Sequence, residues 1–229
     1  TYSCSAFDLE SLSFLDKKLK VPFFKIPSGE INSSDMISYI SRRNKKIILS
    51  TGMSTLNEIK NTVKKLKKFG NKRITLLHCV SSYPVEEKDI NLNILDTLKK
   101  KFGCEIGYSD HSIGSQACLA AVAKGAKIIE KHVTTSSKQA GPDHKASMNI
   151  NDFKKLVKKI RKLEIILGTE EKKFSKNELE IKKMARKSIV TSRSLQKGHI
   201  IKKSDLTFKR PGTGLPPTMI SYLVGKKIK

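Results

Sequence analysis

The sequence predicts an α/β fold, a parallel barrel of alternating strands and helices followed by a small β-rich module. Three observations indicate this fold. Short apolar or β-branched runs recur through residue 168, amphipathic Lys-rich stretches separate them, and the alternation stops beyond that point. Strands that alternate with helices pair in parallel, because each return crossing requires the intervening helix.

Six runs have strand character, and helical stretches lie between them. Those stretches include "DLESLSFLDKKL", "SSDMISYISRR", "TLNEIKNTVKKLKKF" and "SQACLAAVAKG", in which apolar residues recur at intervals of three and four. The predicted strands are residues 1–7, 23–29, 46–52, 74–80, 105–110 and 127–134. Because a closed (β/α)8 barrel uses eight strands, the pattern predicts a TIM-type barrel that lacks its first two β/α units in this chain. The alternative is an open, doubly wound sheet.

Three domains or segments are predicted. Residues 1–168 form the partial barrel and end in a long helix over 149–168. The charged stretch 169–187 is a linker, and residues 188–229 form the small β-rich module, with scattered Gly and Pro and an incomplete C-terminus. The chain opens at Thr1 without Met, so we expect it to be part of a longer polypeptide.

Composition restricts the function classes. The formal charge is +25, from lysines spread along the whole chain, whereas aromatic residues make up 6% and Trp is absent. No segment interleaves basic and aromatic side chains as a nucleic-acid groove does, so neither nucleic acid nor membrane is an expected partner. The positive field favours a small anionic substrate. Four cysteines without CxxC spacing and no secretion signal indicate reduced thiols in a cytoplasmic protein.

Reactive side chains gather where the predicted strands end, which is where barrel enzymes place their sites. Each residue also has a structural interpretation. A lone Ser or Thr at a strand end is commonly a helix N-cap, Tyr83 before Pro84 suits turn packing, and His78 lies inside an apolar run as core histidines do. The strand-end residues are Lys25, Ser28, Glu30, Ser50, Thr51, His78, Ser81, Tyr83, Ser109, Asp110, His111, Glu130 and His132.

The histidines and hydroxyl residues together indicate metal-assisted chemistry. His111 and His132 follow consecutive strands and would lie side by side at one mouth, which suits a divalent ion that completes its shell with substrate and water. Lys25 and the small hydroxyl residues supply a cation and donors for a phosphate or carboxylate. Glu30 and Asp143 could accept hydroxyl hydrogens from a polyol. The residues alone therefore predict an enzyme acting on a phosphorylated anion and a polar partner.

Six motifs in order resemble the sialic acid synthase family, the N-acetylneuraminate synthases and their legionaminate and pseudaminate relatives. They are "FKIPSGEI", "ILSTGM", "LLHCVSSYP", "GYSDHS", "IIEKHVT" and "GPDHKASM". The tail "KSIVTSRSLQKGHIIKKSDLTFKRPGTG" resembles that family's antifreeze-like (SAF) domain. The resemblance implies a transferase that condenses phosphoenolpyruvate with an N-acyl amino sugar such as N-acetylmannosamine in the cytoplasm. It also implies Mn2+ or Mg2+ on His111 and His132.

Further roles follow from the same resemblance. It implies phosphoenolpyruvate contacts and sugar contacts, with His111, His132 and Glu30 as the catalytic set and Arg210 reaching the sugar of the other subunit in a domain-exchanged homodimer. The implied phosphoenolpyruvate contacts are Lys25, Ser28, Ser50, Ser81 and Ser109. The implied sugar contacts are Glu30, Tyr83, Asp143 and Arg210.

Two departures from the family pattern bear on these roles. Some relatives have Asn in place of Ser81, and Ala6 replaces a Thr. An acidic residue and a Lys carried by the family's first two strands have no match here, so the chain alone is expected to be poorly stable and inactive. A barrel that has lost catalysis and only binds, and a basic nucleic-acid-binding protein, are the alternatives from other classes. Within the enzyme class, the sequence favours the legionaminate and N-acetylneuraminate branches over the pseudaminate branch.

Overall fold

The computed structural model describes residues 2–229, so Thr1 of the first predicted strand lies outside the described residues. The chain divides into two compact units at Gly168 and Thr169. None of the helices in the described part of the chain is both long and apolar enough to cross a membrane.

The first unit is a curled, half-barrel sheet of five parallel strands with helices in the connections, which confirms the predicted α/β class. The strands follow one another in chain order across the sheet. They are β1 (Phe23–Ile26), β2 (Lys46–Ser50), β3 (Ile74–Cys79), β4 (Glu105–Asp110) and β5 (Ile128–Lys131). The helices are α1 (Leu9–Lys17), α2 (Ser34–Ser41), α3 (Leu56–Lys67), α4 (Ile94–Phe102), α5 (Gln116–Ala123) and α6 (Ile150–Leu167).

The first predicted strand is wrong. Residues 2–7 run beside β1, but only Ser5 forms a parallel bridge, to Lys25, and the Ser3 hydroxyl donates to the Phe23 carbonyl at 3.0 Å. Tyr2 and Phe7 remain 66% and 68% exposed, so the segment has the alternation of a strand without the burial that stabilises one.

The sixth predicted strand divides at His132. Its first half, β5, pairs with β4, whereas β6 (Val133–Thr134) pairs with β7 (Met148–Asn149) in a separate two-stranded sheet. The loop between β6 and β7 thereby begins and ends beside His132, whose carbonyl accepts a hydrogen bond from the Met148 amide at 2.9 Å.

The two faces of the sheet differ in chemistry because successive strand side chains point to opposite faces. The face toward the helices carries buried aliphatic and aromatic residues, such as Leu49, Leu76 and Ile106, which form the main core with the helices. The opposite face carries Lys25, Ser50 and other polar groups near the carboxyl ends of the strands. Burial of both faces explains the nearly continuous apolar runs.

A charged cluster joins α1 to the segment after α2. Asp16 accepts hydrogen bonds from Lys45 Nζ at 2.8 Å, Arg43 Nε at 2.7 Å and Tyr39 Oη at 2.9 Å. Burial alone raises the pKa of Asp16, but these three donors outweigh it and lower the pKa to about 2. The cluster therefore favours the ionised carboxylate in the folded state.

We expect Asp16→Asn to lower the free energy of unfolding at pH 7 by about 2 kcal/mol. The folded pKa of about 2 lies below the unfolded value of about 3.9, so this contribution is complete above about pH 5 and is lost as the pH falls through 2. Urea unfolding at several pH values measures it. Glu164→Gln, which removes an exposed helical partner of Arg161, should change little at any pH. A difference between Asp16→Asn and the parent chain that is as large at pH 2 as at pH 7 would contradict the assignment.

The second unit contains α7 (Lys176–Ala185), the antiparallel pair β8 (Ser188–Thr191) and β9 (Leu206–Lys209), and the short α8 (Ile220–Leu223). The segment expected to be a linker thus includes a ten-residue helix, which begins at a Ser175 N-cap. Asp205 is buried and accepts hydrogen bonds from Arg193, His199 and the Lys202 amide, which hold the loop between the two strands.

Candidate active site

A cleft of about 640 Å3 lies at the carboxyl ends of β1 to β5. It contains eight of the eleven predicted site residues, because the parallel strands all end at this edge of the sheet. The lining side chains with polar or sulfur atoms are Ser5, Lys25, Ser28, Ser50, Met53, Cys79, Ser81, Tyr83, Ser109, His111, Glu130 and His132.

Lys25 is the cation of the cleft and lies at its floor. Its Nζ donates to Ser50 Oγ at 2.9 Å and lies 3.4 Å from Glu130 Oε2. Glu130 Oε1 in turn accepts a hydrogen bond from Ser109 Oγ at 2.6 Å. Ser109 and Glu130 are register partners on β4 and β5, so the sheet itself creates this contact. An ammonium and one hydroxyl therefore converge on the Glu130 carboxylate, and a second hydroxyl, that of Ser50, accepts from the same ammonium.

The sequence showed Glu130 at a strand end but assigned it no role. The missing signal was register, because pairing with Ser109 and proximity to Lys25 depend on how β5 aligns with β4 and curls toward β1. Cys79 was predicted only as one of four reduced thiols, yet its sulfur lies 3.8 Å from Ser28 Oγ and lines the cleft.

The turn after β2 brings backbone against the cleft wall at Gly52. Its amide donates to Ser28 Oγ at 3.0 Å. A Cβ at Gly52 would lie 2.8 Å from Ser28 Oγ and would overlap Ser81 Oγ. A residue with a Cβ at this position would therefore displace one or both hydroxyls.

His111 and His132 face each other at the mouth, with ring centres 5.3 Å apart and planes at 85°. His111 Nδ1 lies 2.7 Å from the Val80 carbonyl oxygen, which can only accept, so Nδ1 carries the proton and Nε2 is left for a ligand. His132 Nδ1 lies 3.5 Å from Asp143 Oδ2, which orients the second ring in the same sense. Burial, followed by the proximity of His111, lowers the pKa of His132 and favours its neutral form.

This donor set fits a divalent ion with two protein ligands. Ring centres 5.3 Å apart leave room for one ion between the two imidazoles at metal–nitrogen distances of about 2.1 Å. Across residues 2–229, no three His, Cys, Asp or Glu side chains converge to hold an ion. The arrangement thus fits an open site completed by substrate and water, and it does not fit a four-ligand structural zinc.

The Tyr83 ring packs against both histidines, tilted against His111 with ring centres 4.1 Å apart and edge-on to His132 with ring centres 5.5 Å apart. Burial and the nearby Cys79, Asp143 and Glu130 raise the pKa of the Tyr83 hydroxyl. A protonated phenol at this position can donate a hydrogen bond to a ligand in the mouth.

The remaining predicted site residues lie outside this lining. Glu30 follows β1 in a 3-10 turn and accepts a hydrogen bond from Ser33. Asp143 is exposed on the loop between β6 and β7, where its carboxylate faces His132. Arg210 follows β9 in the second unit, where it is exposed.

Two strand-end residues have structural roles. Thr51 donates its hydroxyl to the Leu77 carbonyl at 2.9 Å, and α3 is capped by Thr55 rather than by Ser50 or Thr51. His78 is buried, with Nε2 2.7 Å from the Ile90 carbonyl oxygen, as expected of a core histidine.

The fold and the site define a class, the α/β proteins with a parallel, barrel-type sheet that bind ligands at the carboxyl ends of the strands. Within that class, the chain belongs to the NeuB family, whose model matches residues 1–172. A SAF domain follows over residues 186–229.

Named relatives agree with this membership. The chain is 44% identical to N,N'-diacetyllegionaminic acid synthase of Campylobacter jejuni, with 96% of this chain and 66% of the relative covered. It is 42% identical to the Legionella pneumophila enzyme of the same name, with 99% and 65% covered. The crystal structure of N-acetylneuraminic acid synthetase from Leptospira borgpetersenii matches with a TM-score of 0.71 and 38% identity over 76% of this chain and 60% of that one. The chain spans slightly less than two thirds of the length of these curated relatives.

Proposed function

We propose that the protein is a nonulosonic acid synthase that condenses phosphoenolpyruvate with an N-acyl amino sugar. The observation that carries this proposal is the convergence of Lys25, Ser50 and Ser109 below the facing histidines His111 and His132. An anion-binding floor under an open two-imidazole mouth suits one phosphorylated reactant and one carbonyl reactant. The relatives named as synthases support the same reaction class.

In this reaction C3 of phosphoenolpyruvate forms a bond to the aldehyde carbon of the open-chain sugar. Water adds at C2, and inorganic phosphate leaves with cleavage of the C–O bond. Lys25, Ser28, Ser50 and Ser109 hold the phosphate and carboxylate through an ammonium and hydroxyl donors. Ser81 lies beside Ser28 at the same wall and adds a further hydroxyl.

His111 and His132 would hold Mn2+ or Mg2+, which when bound supplies Lewis-acid polarisation of the aldehyde. Tyr83 closes one side of the mouth and donates to the sugar. Asp143 orients His132 and, with Glu30, accepts hydroxyl hydrogens from the sugar chain. The free thiols Cys4, Cys79, Cys104 and Cys118 suit a reducing cytoplasm.

The sugar we favour is 2,4-diacetamido-2,4,6-trideoxymannose, which would give N,N'-diacetyllegionaminate. The support is the identity of 44% and 42% to the two enzymes of that name, against 35% to a pseudaminic acid synthase from Helicobacter pylori. N-acetylmannosamine is the second candidate, supported by the N-acetylneuraminic acid synthetase structure at 38% identity.

The whole gene product should be assayed with phosphoenolpyruvate and Mn2+ against both sugars in parallel. Phosphate release together with a nine-carbon acid identified by mass would support the proposed synthase activity. The preferred sugar would show whether the protein is a legionaminate or an N-acetylneuraminate synthase. A folded, metal-binding protein that forms no product with either sugar, or with the pseudaminate precursor, would favour a barrel that only binds.

The Gly52 turn provides a test of the phosphoenolpyruvate wall. We expect Gly52→Ala to raise the KM for phosphoenolpyruvate by about tenfold to a hundredfold, because the added methyl group displaces Ser28 and Ser81. Steady-state kinetics measure it. Lys60→Ala, at an exposed position of α3 outside the cleft lining, is the control. Equal effects of the two substitutions would contradict the assigned contact.

In this proposal, Arg210 of the second unit contacts the sugar that is bound to the other subunit of a domain-exchanged homodimer. We expect Arg210→Ala to raise the KM for the sugar about tenfold while the KM for phosphoenolpyruvate stays unchanged, because a charged hydrogen bond is lost at one substrate only. Lys209→Ala at the neighbouring exposed position is the control. A rise in both KM values would count against the role of Arg210, and a monomeric mass in solution would count against the exchange.

A further inference from the structure

A buried ion pair lies directly behind the two facing histidines. Asp110 and Lys131 end β4 and β5 as register partners, and Lys131 Nζ lies 2.8 Å from Asp110 Oδ2. Their side chains are 0% and 1% exposed. Each member immediately precedes one histidine, His111 or His132. By strand alternation, the pair points away from the cleft and toward the helices.

The hydrogen-bonding capacity of this pair is used within the protein. Asp110 Oδ1 accepts from Tyr108 Oη at 3.1 Å and from the amide and hydroxyl of Ser112 at 2.9 and 2.7 Å. Asp110 Oδ2 also accepts from Cys118 Sγ at 3.0 Å, and Lys131 donates a second hydrogen bond to the Ser112 carbonyl. The network therefore fastens the end of β5 to the residues on both sides of His111.

Stability alone does not account for a pair of this kind. Removing two charges from water costs several kcal/mol per ion, and well-packed apolar residues in place of a buried pair are often neutral or stabilising. The pair also faces away from the cleft, so it does not contact substrate. What the pair does is fix the separation of two strand ends, and those ends carry the two imidazoles.

We propose that Asp110 and Lys131 are positioning residues that set the separation and orientation of His111 and His132, and thereby the affinity of the cleft for a divalent ion. The metal part of this inference rests on the proposed function. The positioning part does not, because the ring orientation is a property of the metal-free chain.

The test compares Asp110→Asn, Lys131→Met and the double variant in the whole gene product. Each single variant leaves an unpaired buried group and should lose thermal stability, whereas the double variant removes both charges and should recover most of it. The expected result is that the double variant still binds Mn2+ about 10- to 100-fold more weakly, as measured by electron paramagnetic resonance titration. Recovery of both stability and Mn2+ affinity in the double variant would show a purely structural pair and overturn the proposal.

A matched control uses an ion pair at the other end of the same sheet. Lys46 Nζ lies 3.0 Å from Glu105 Oε1 near the amino ends of β2 and β4. Lys46→Met with Glu105→Gln should leave Mn2+ affinity unchanged. Lys131→Arg, which keeps the charge but changes its reach, covers the case in which the double variant does not fold, and unchanged Mn2+ affinity in that variant would also overturn the proposal.

A measurement on the metal-free protein separates the positioning of the histidines from the affinity for the metal. Nitrogen-15 NMR of the histidine rings should show the Nδ1-protonated tautomer of His111 in the parent chain and a mixture of tautomers in the double variant. Identical ring signals in both would overturn the positioning role. If the parent chain binds neither Mn2+ nor Mg2+, the proposed metal fails, together with the affinity part of this inference, while the ring signals still decide whether the pair positions the histidines.

Discussion

Replacing His132 with Ala is expected to lower turnover by roughly a thousandfold or more while leaving the protein folded. The Lewis-acid contribution of a bound ion is worth several kcal/mol, and one imidazole cannot hold it in place. The side chain of His132 is 34% exposed, so its removal leaves no large cavity. Metal affinity, turnover and thermal stability should be measured on the same sample.

His111 requires a different substitution for the same test. It is buried, and its Nδ1 donates to the Val80 carbonyl, so Ala would also leave that acceptor unpaired at a cost of about 1–3 kcal/mol. His111→Asn keeps a donor and should lose turnover to the same extent with a smaller loss of stability. His78→Asn, in the same sheet, should retain Mn2+ affinity. Loss of folding without loss of metal affinity in the His111 and His132 variants would identify them as packing residues.

Replacing Lys25 with Met is expected to lower kcat/KM for phosphoenolpyruvate by about a hundredfold or more. The side chain is only 13% exposed and already contacts Ser50 and Glu130, so its charge acts in a partly desolvated place. A hydrogen bond to a charged group is worth about 1.5–3 kcal/mol, and loss of the ammonium would remove at least one of them from the proposed anion site. Steady-state kinetics at saturating sugar measure the loss.

Two controls separate charge from packing at Lys25. Lys46→Met removes a lysine from the far end of the neighbouring strand and should leave kinetics unchanged. Lys25→Arg keeps the charge and should retain part of the activity, although its planar head does not reproduce the contact with Ser50. A Lys25→Met variant with an unchanged KM for phosphoenolpyruvate and unchanged turnover would exclude Lys25 from the anion site.

The alternation of apolar runs and amphipathic stretches was enough to predict β1 to β5, and β4 matches its predicted bounds at 105–110. Local sequence patterns gave wrong strands where strand formation depends on which segment pairs with which. Residues 2–7 alternate like a strand but gain one bridge, and the run through His132 divides because its second half pairs with β7 rather than with β4.

In the candidate site, too, the residues at strand ends were predictable from the sequence, whereas contacts between strands were not. Lys25, Ser50, Ser109 and the two histidines were predictable because all strand ends meet at one edge of a parallel sheet. The Glu130 bridge and the Asp110–Lys131 pair were not, because both depend on register between strands distant in sequence. Periodicity gives the face of each side chain but does not give its neighbour.

The carboxylate of Glu130 provides a partner within the protein for the cation of the cleft. It already occupies the ammonium of Lys25 and the hydroxyl of Ser109, which are groups that an incoming anion would need. Under the proposed function, an incoming anion would compete with this carboxylate for the same donors. Its affinity would then include the cost of releasing Lys25 and Ser109 from Glu130, whose contacts hold both donors in place before the anion binds.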